Sequence, residues 1–361
     1  MRKSLHRYAN MKNAYCPPGI DNGECSQKMN FSFSTGNLLP DILLNLSIFG
    51  IGFLMLIKGS GMFVDSASDL ARKLKVSEMV IGLTLVSIGT SLPELASSVY
   101  ASICNQPDFI VGNIAGSDVT NIMLILGSGI FFAKGMGFDP KLLSRDVVLM
   151  NLIFLITFLM ILMGDVLTPY GESCRGINRI CGGILFAGAI AYCWMLFKSQ
   201  SDEEKESCGK SHSVWFLLLM SAVSLAMIVC GSKMLVDSVV WVAGKMKISP
   251  MLISATIVAF GTSVPELAVT IAGVKKGHHD LVLGNIIGSN IFNVLMIFGI
   301  CSLIRPLAVI GTAGLVNISL MVVSGLLLMI FMYFGKRLFR WMGAVFLAGY
   351  IAYLIYNGIC R

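Results

Sequence analysis

Long apolar stretches separated by short polar connections dominate the pattern along the chain. Most of them reach about 18 residues or more, the length that spans a bilayer as an α-helix. The period-two alternation that is typical of membrane β-barrels is absent from the sequence. The apolar stretches lie at about 40–64, 77–102, 108–132, 146–164, 177–197, 213–238, 249–274, 280–303, 312–334 and 341–358.

The composition supports a protein that sits in a lipid bilayer. The mean hydropathy is +0.79, with 55% hydrophobic and 13% charged residues, whereas soluble domains carry roughly 25% charged residues. The net charge of +7 does not indicate nucleic acid as a partner, because the cations lie mostly in short loops and are better interpreted as topology signals. The pattern therefore predicts an all-α polytopic membrane protein.

Two polar segments flank or divide the apolar part. Residues 1–38 contain no apolar run, so they do not form a secretory signal, and we expect them to be a disordered tail. Cys16 and Cys25 of this tail could pair if it faces an oxidising compartment. The longest internal polar stretch, 198–212, divides the chain in half.

The two halves are a sequence repeat with an offset of 172 residues. The stretch SIGTSLPELA at 87–96 returns as AFGTSVPELA at 259–268. Between 59–127 and 231–299, 30 of 69 positions are identical without a gap. The repeat predicts a first five-helix unit at 39–197, a linker at 198–212 and a second five-helix unit at 213–361.

Five spans in each half predict that the second half enters the membrane from the opposite side, as in many transporters with inverted repeats. If both termini lie outside, 14 loop cations lie inside and six lie in the outer loops and C-terminus, which the positive-inside rule favours. This count places the linker 198–212 in the cytoplasm. We therefore expect an integral protein of the cell (inner) membrane with ten transmembrane helices.

Glu94 follows a helix-breaking motif inside the second apolar stretch. Pro93 lacks an N–H and clashes with the preceding turn, so it predicts a kink or break. A break frees backbone carbonyls at membrane depth, which is tolerated only beside protein or a water-filled cavity. An ionised glutamate there needs a partner. If the stretch stays helical, Ser87, Thr90 and Ser91 lie on the face of Glu94.

The third stretch adds a polar stripe. Asn113, Ser117 and Asn121 are spaced by four residues, and Gly112 and Gly116 form a small-residue pair that lets another helix approach closely. We expect that neighbour to be the stretch that carries Glu94. The second half repeats the same pieces, namely Thr262, Ser263, Glu266, Asn285, Ser289 and Asn293.

Inversion would bring Glu94 and Glu266 face to face near the middle of the membrane. Carboxylates, hydroxyls, amides and carbonyls are ligands for a hard cation, and calcium accepts six to eight oxygens in flexible geometry. The two glutamates can neutralise one divalent ion, or hold several sodium ions or protons instead. Competition between these loads is the physical basis of exchange. No cofactor is expected, and the predicted partners are small inorganic cations and the bilayer.

The GTSLPE and GTSVPE motifs, each followed by GNIxGSxxxN, resemble the two repeats of the calcium/cation antiporter superfamily, and most of all those of prokaryotic sodium/calcium exchangers. The resemblance covers about 40–358 and implies ten helices and alternating access by sliding of the first and sixth. It implies Glu94 and Glu266 as the principal calcium ligands. The residues that it adds to calcium and sodium coordination are Thr90, Ser91, Thr262, Ser263, the backbone carbonyls of Ser87 and Ala259, and Ser117, Asn121, Ser289 and Asn293.

Two positions depart from the simplest form of this pattern. Some exchangers carry Asp where this chain has Asn293, and an amide cannot ionise or bind a proton. The chain also has Asp118 where its own second repeat has Asn290. Asp118 lies about 100° around the helix from Ser117, so it is a possible accessory ligand, together with Asn113 and Asn285.

The function expected from these residues is a secondary active antiporter that exports calcium in exchange for sodium, and not an enzyme. A proton-coupled calcium antiporter remains the main alternative, because the coupling ion does not follow from the sequence. A passive cation channel is a weaker alternative, because the polar residues are concentrated near the motifs instead of lining the full depth.

Overall fold

The computed structural model describes residues 38–74, 76–103, 105–133, 135–167, 173–198, 213–245, 259–309, 312–335 and 337–359. The tail with Cys16 and Cys25 and linker residues 199–212 lie outside this part of the chain, so the interpretations given for them stay predictions. Lys198, the first residue of the predicted linker, is the last residue of a helix.

Helices make up most of the described chain. In order they are α1 (Leu38–Lys73), α2 (Glu78–Thr90), α3 (Leu92–Ile103), α4 (Pro107–Phe132), α5 (Leu142–Met163), α6 (Arg179–Lys198), α7 (Val214–Lys245), α8 (Ala259–Thr262), α9 (Val264–Lys276), α10 (His279–Ile304), α11 (Thr312–Phe334) and α12 (Arg340–Ile359). Among the described residues, 7 helices are long and apolar enough to cross a membrane, or 8 if the bent pair α2 and α3 forms one span. The chain is therefore a helical integral membrane protein.

The helices that lie at the centre of the molecule are α4 and α10. In their most apolar windows 78% and 83% of residues are buried inside the protein, against 28% for α1 and for α7. The central pair therefore faces protein on nearly all sides, whereas α1 and α7 expose large aliphatic side chains such as Leu46, Leu54 and Leu219. An apolar side chain that is exposed on a membrane-spanning helix is suited to contact lipid.

The break predicted in the second apolar stretch is confirmed. The axes of α2 and α3 differ by 46°, and the change of direction falls at Ser91, with φ −84° and ψ 6°. Pro93 cannot donate to the carbonyl of Gly89 four residues earlier, and its ring crowds that carbonyl. Ser263, between α8 and α9, has nearly the same backbone angles, φ −92° and ψ 5°, because Pro265 follows it at the same distance.

α1 and α7 cross closely at glycines. A Cβ built on Gly231 would lie 2.7 Å from the carbonyl oxygen of Gly52, and one built on Gly59 would lie 3.1 Å from that of Ser224. Adding 172 to 52 and to 59 gives 224 and 231. The contact of Gly59 with Ser224 is therefore the repeat equivalent of the contact of Gly231 with Gly52. Small residues at such crossings let backbones approach where no solvent drives association.

Short strands tie loops together outside the helices. β1 (Met136–Gly137) pairs with β5 (Arg337–Leu338), which joins the connection after α4 to the one after α11. β2 (Asp165–Leu167), β3 (Ser173–Ile177) and β4 (Leu307–Ala308) form the other sheet, which joins the connection after α5 to the one after α10. Adding 172 to Met136 gives Ala308, so the repeat counterparts β1 and β4 lie in different sheets.

Two helices extend beyond the apolar stretches that predicted them. α1 continues past residue 64 to Lys73, and α7 continues past 238 to Lys245. The extension of α1 is amphipathic, since Ala67 and Leu70 are buried while Arg72 pairs with Asp69 at 3.4 Å. Hydropathy therefore underestimates α1, because a helix need not end where its hydrocarbon-facing part ends, whereas residues 239–245 of α7 are themselves mostly apolar.

Candidate ion-binding site

Glu94 and Glu266 lie in the first turns of α3 and α9, immediately after the two breaks. Both side chains are buried, with exposed fractions of 1% and 0%. Asp or Glu in the first turn of a helix faces the partial positive charge of that helix end. Each break therefore creates a helix N-terminus inside the protein and places a carboxylate on it.

The hydroxyl groups beside each break bond to the glutamate of the other half. Ser91 Oγ donates to Glu266 Oε1 at 3.5 Å, and Thr90 contacts the same carboxylate. In exchanged positions, the hydroxyls of Thr262 and Ser263 contact Glu94. A continuous helix would have placed Thr90 and Ser91 on the face of Glu94; the change of direction at Ser91 turns them towards Glu266 instead.

Further serines connect the breaks to the central helices. Ser117 Oγ, on α4, lies 3.3 Å from Glu94 Oε1 and 3.0 Å from Ser263 Oγ. Ser289 Oγ, on α10, donates to the carbonyl oxygen of Ser87 at 3.4 Å. Both serines are buried, so α4 and α10 each supply a hydroxyl to the layer that contains the two carboxylates.

The carbonyl of Ser87 is engaged by protein donors in this conformation. It accepts from the backbone N–H of Ser91 at 3.1 Å and from Ser289, and Thr90 Oγ1 lies 3.4 Å away. It could reach an ion only by giving up some of these bonds. Its repeat counterpart Ala259 is the first described residue of α8, and its role as a carbonyl ligand stays a prediction.

Asparagines form a second layer, where α4 meets α10. Asn121 Nδ2 donates to Asn290 Oδ1 at 3.1 Å, and Asn293 Nδ2 donates to Asp118 Oδ1 at 2.9 Å. All four side chains are buried. Asn290 is not among the site residues predicted from the sequence, although its position as the repeat counterpart of Asp118 is a signal that could have identified it.

The two accessory asparagines have different surroundings. Asn285 accepts from Thr90 Oγ1 at 3.1 Å, so it lies beside the break in α2. Asn113 is only partly buried and donates to Ser98 Oγ at 3.2 Å and to Ser97 Oγ at 3.4 Å. The described contacts therefore bring Asn285, but not Asn113, to the carboxylate layer.

Gly112 does not make the close helix contact that the sequence predicts for it. Among described atoms nothing lies within 4 Å of a Cβ built on Gly112, and Gly116 faces Tyr353 Oη at 3.3 Å. The second-half counterparts do pack tightly: a Cβ on Gly284 would lie 2.5 Å from the carbonyl of Met79, and one on Gly288 would lie 2.8 Å from that of Leu83. The neighbour that they admit is thus the broken helix of the other half, not of their own.

Both carboxylates retain an oxygen that the described part of the chain does not satisfy. Glu94 Oε2 and Glu266 Oε2 are buried and accept no hydrogen bond from it. A buried oxygen without a donor costs about 1–3 kcal/mol, and more when it is charged. Within the described ranges no three His, Cys, Asp or Glu side chains gather as a metal cluster, so the ligands on offer around the glutamates are hydroxyl and amide oxygens.

A family model matches both halves of the chain. The model described as "Sodium/calcium exchanger protein" matches residues 44–198 and 216–358, which is most of the chain. The chain belongs to the sodium/calcium exchanger protein family. The sequence resemblance to this superfamily is thereby confirmed.

Individual relatives match over nearly their whole lengths. The sodium/calcium exchanger MaX1 of Methanosarcina acetivorans is 32% identical, covering 87% of this chain and 98% of the relative. The putative antiporter CaxA of Alkalimonas amylolytica is 33% identical over 84% of this chain and 95% of the relative. A solved structure of the sodium-calcium exchanger NCX_Mj superposes with a TM-score of 0.76 at 32% identity, covering 89% of this chain and 100% of that one.

Proposed function

We propose that this family member is a secondary active antiporter that exports calcium in exchange for sodium by alternating access. The observation that carries the proposal is the reciprocal arrangement at the two breaks, where the hydroxyls of each half contact the glutamate of the other. Neither half could build this layer alone. The relatives named as sodium/calcium exchangers support the same assignment of the transported ions.

The oxygen ligands of the carboxylate layer suit a divalent hard ion. Glu94 and Glu266 supply two negative charges and two oxygens that the described chain leaves without donors. Serine and threonine hydroxyls that now donate to the carboxylates can rotate and present lone pairs to a cation. Calcium tolerates such flexible coordination by oxygen. We assign Thr90, Ser91, Thr262 and Ser263 to shared coordination of calcium and sodium.

The buried charges explain why the two ions would exclude each other. One calcium ion neutralises both glutamates, and sodium ions that occupy the same oxygens do so as well. Loading both kinds together would place excess positive charge in a site of low dielectric, where like charges repel strongly. The protein would therefore carry either calcium or sodium in each crossing, which is the requirement for exchange.

The structure offers a route for alternating access in α1 and α7. These helices lie outside the buried centre and touch one another closely at Gly52 and Gly231. Their large exposed aliphatic surface would move against lipid, where sliding breaks few specific contacts. We propose that their sliding opens the carboxylate layer to one side of the membrane at a time.

We further propose ten transmembrane spans, as two inverted five-helix units at 39–197 and 213–361. The separation of counterparts β1 and β4 into different sheets supports inversion, as do the exchanged contacts of Gly59 and Gly231. The pair Lys276–Asp65, at 2.6 Å, supports placing the ends of α9 and α1 on one side. The loop cations support the cytoplasm as that side, with both termini outside and the linker 198–212 inside a cell (inner) membrane.

The test is calcium-45 uptake into proteoliposomes under imposed gradients. We expect an outward-directed sodium gradient to drive uptake when pH is equal on both sides, and a proton gradient without sodium to drive none. Uptake driven by protons alone would favour the proton-coupled alternative. Calcium flux that equilibrates without any coupling ion would contradict the antiporter and favour a channel.

A further inference from the structure

The second buried layer contains a carboxyl group that has no role in a site formed by the two glutamates alone. Asp118 lies on α4 and is fully buried. Its Oδ1 accepts from Asn293 Nδ2, on α10, at 2.9 Å. It is therefore a third buried carboxylate, and it lies in the interface between the two central helices, one residue along the chain from Ser117.

The repeat supplies an internal control for this residue. Adding 172 to 118 and to 121 gives 290 and 293, so the pair Asp118–Asn293 is equivalent to the pair Asn290–Asn121. In the second pair Asn121 Nδ2 donates to Asn290 Oδ1 at 3.1 Å. An amide oxygen thus makes the same contact between the same helices. The packing of α4 on α10 does not require a carboxylate at position 118.

Oxygens of this layer are left over after both hydrogen bonds are made. Asp118 Oδ2, Asn121 Oδ1 and Asn293 Oδ1 are buried and accept no hydrogen bond from the described residues. Each belongs to a side chain with at most 1% of its surface exposed. Carboxylate and amide oxygens are ligand types that suit a hard cation, and this layer leaves three of them without a hydrogen bond.

We propose that Asp118 is a further ion ligand, which adds a third negative charge to the buried site and binds one additional sodium ion with Asn121 and Asn293. The inference rests on the proposed exchange function and deepens it, because it concerns how many ions move in each cycle. A buried carboxylate carries a large desolvation cost unless a charge compensates it. The additional sodium ion supplies that compensation.

The number of sodium ions sets the calcium gradient that the protein can sustain. At zero membrane potential, each sodium ion that moves down a tenfold gradient supports about a tenfold calcium gradient. Asp118→Asn removes the charge and keeps the size of the side chain. We expect the variant to reach a steady calcium accumulation about tenfold lower than the parent at a tenfold sodium gradient, with the potential clamped at zero.

A second variant separates charge from position. The double variant Asp118→Asn with Asn293→Asp exchanges the carboxylate and the amide of this hydrogen-bonded pair. The total charge of the layer is therefore kept. We expect this double variant to recover the accumulation ratio of the parent. A single variant with the parental ratio would overturn the proposal, and so would a double variant that transports with the reduced ratio.

Binding decides the matter if a variant does not transport. The rise of the unfolding temperature with sodium concentration reflects the number of ions that bind the folded protein. We expect a smaller rise for Asp118→Asn than for the parent in detergent, and an equal rise would overturn the proposal. A parent that shows no sodium-driven uptake would contradict the proposed exchange itself, which keeps the two failures distinct.

Discussion

Glu266→Gln should separate a role in ion binding from a role in packing. The glutamate is fully buried and accepts from Ser91 at 3.5 Å, while its Oε2 has no donor in the described chain. Glutamine has nearly the same shape and keeps one acceptor oxygen. The change therefore removes one negative charge and little else.

The expected loss of ion affinity is large. Two unit charges 4 Å apart interact with about 4 kcal/mol at an effective dielectric constant near 20, and a divalent ion gains more. We take roughly 4 kcal/mol as the net loss, since the amide oxygen retains part of the coordination. This corresponds to a calcium affinity about a thousandfold weaker, which would bring sodium-driven calcium-45 uptake to background.

The expected change in stability has the opposite sign. Without bound ions, a buried carboxylate opposes folding through desolvation, so its neutral analogue should unfold at the same temperature or a higher one. The assay pairs calcium-45 uptake with thermal unfolding of the same detergent preparation. Glu94→Gln should behave alike, because the contacts of the two residues are reciprocal.

A Glu266→Gln variant that transports at the parental rate would contradict a role of Glu266 in ion binding. That role would also be refuted if uptake were lost only together with a lower unfolding temperature, since that result would indicate that the glutamate holds the helices together. A difference between the two glutamates, with one dispensable, would contradict the shared site specifically.

The remaining predictions use contacts away from the carboxylate layer. Asp146 is fully buried and accepts hydrogen bonds from Arg145 at 3.0 Å and from Tyr192 at 3.2 Å. Asp146→Asn should lower the free energy of unfolding by about 3 kcal/mol, the low end of the cost of breaking a buried ion pair. Calcium uptake by the folded fraction should persist. Parental stability would contradict the expected loss of stability. Gly284→Ala should cost about 1–3 kcal/mol by overpacking, because its Cβ would lie 2.5 Å from a backbone carbonyl of α2. The control Gly50→Ala, where nothing described lies within 4 Å, should be neutral or stabilising in the same unfolding assay.

Hydropathy and proline placement made most of the helical architecture predictable. The apolar stretches located the described helices within a few residues at most ends, and the Gly-Thr-Ser-x-Pro-Glu motif located the break at Ser91. Residues 239–245 of α7 are mostly apolar and could have been included in its predicted stretch, whereas the end of α1 was underestimated because its last turns are amphipathic. Such turns are stabilised by ion pairs and packing, which a hydropathy pattern does not report.

The residues that form the site could also be predicted from the sequence, whereas the contacts between them could not. Glu94 and Glu266 stand out because a duplicated acid in an apolar stretch needs a reason. Which hydroxyl contacts which glutamate depends on the angle of the break. The shared face of Ser91 and Glu94 holds only for a continuous helix, and the break turns Ser91 towards Glu266. The contact between Asp118 and Asn293 needs the crossing of α4 and α10, which sequence spacing within one helix cannot give.

Locating the transported ion would test directly whether Glu94 and Glu266 bind one calcium ion together. Crystals of the protein grown with calcium, and measured at a long wavelength, would give an anomalous difference map in which calcium is identified by its own signal. We predict one peak at mid-membrane depth, about 2.3–2.6 Å from carboxylate oxygens of both Glu94 and Glu266. A calcium peak bound by only one of these glutamates, or by neither, would contradict the account.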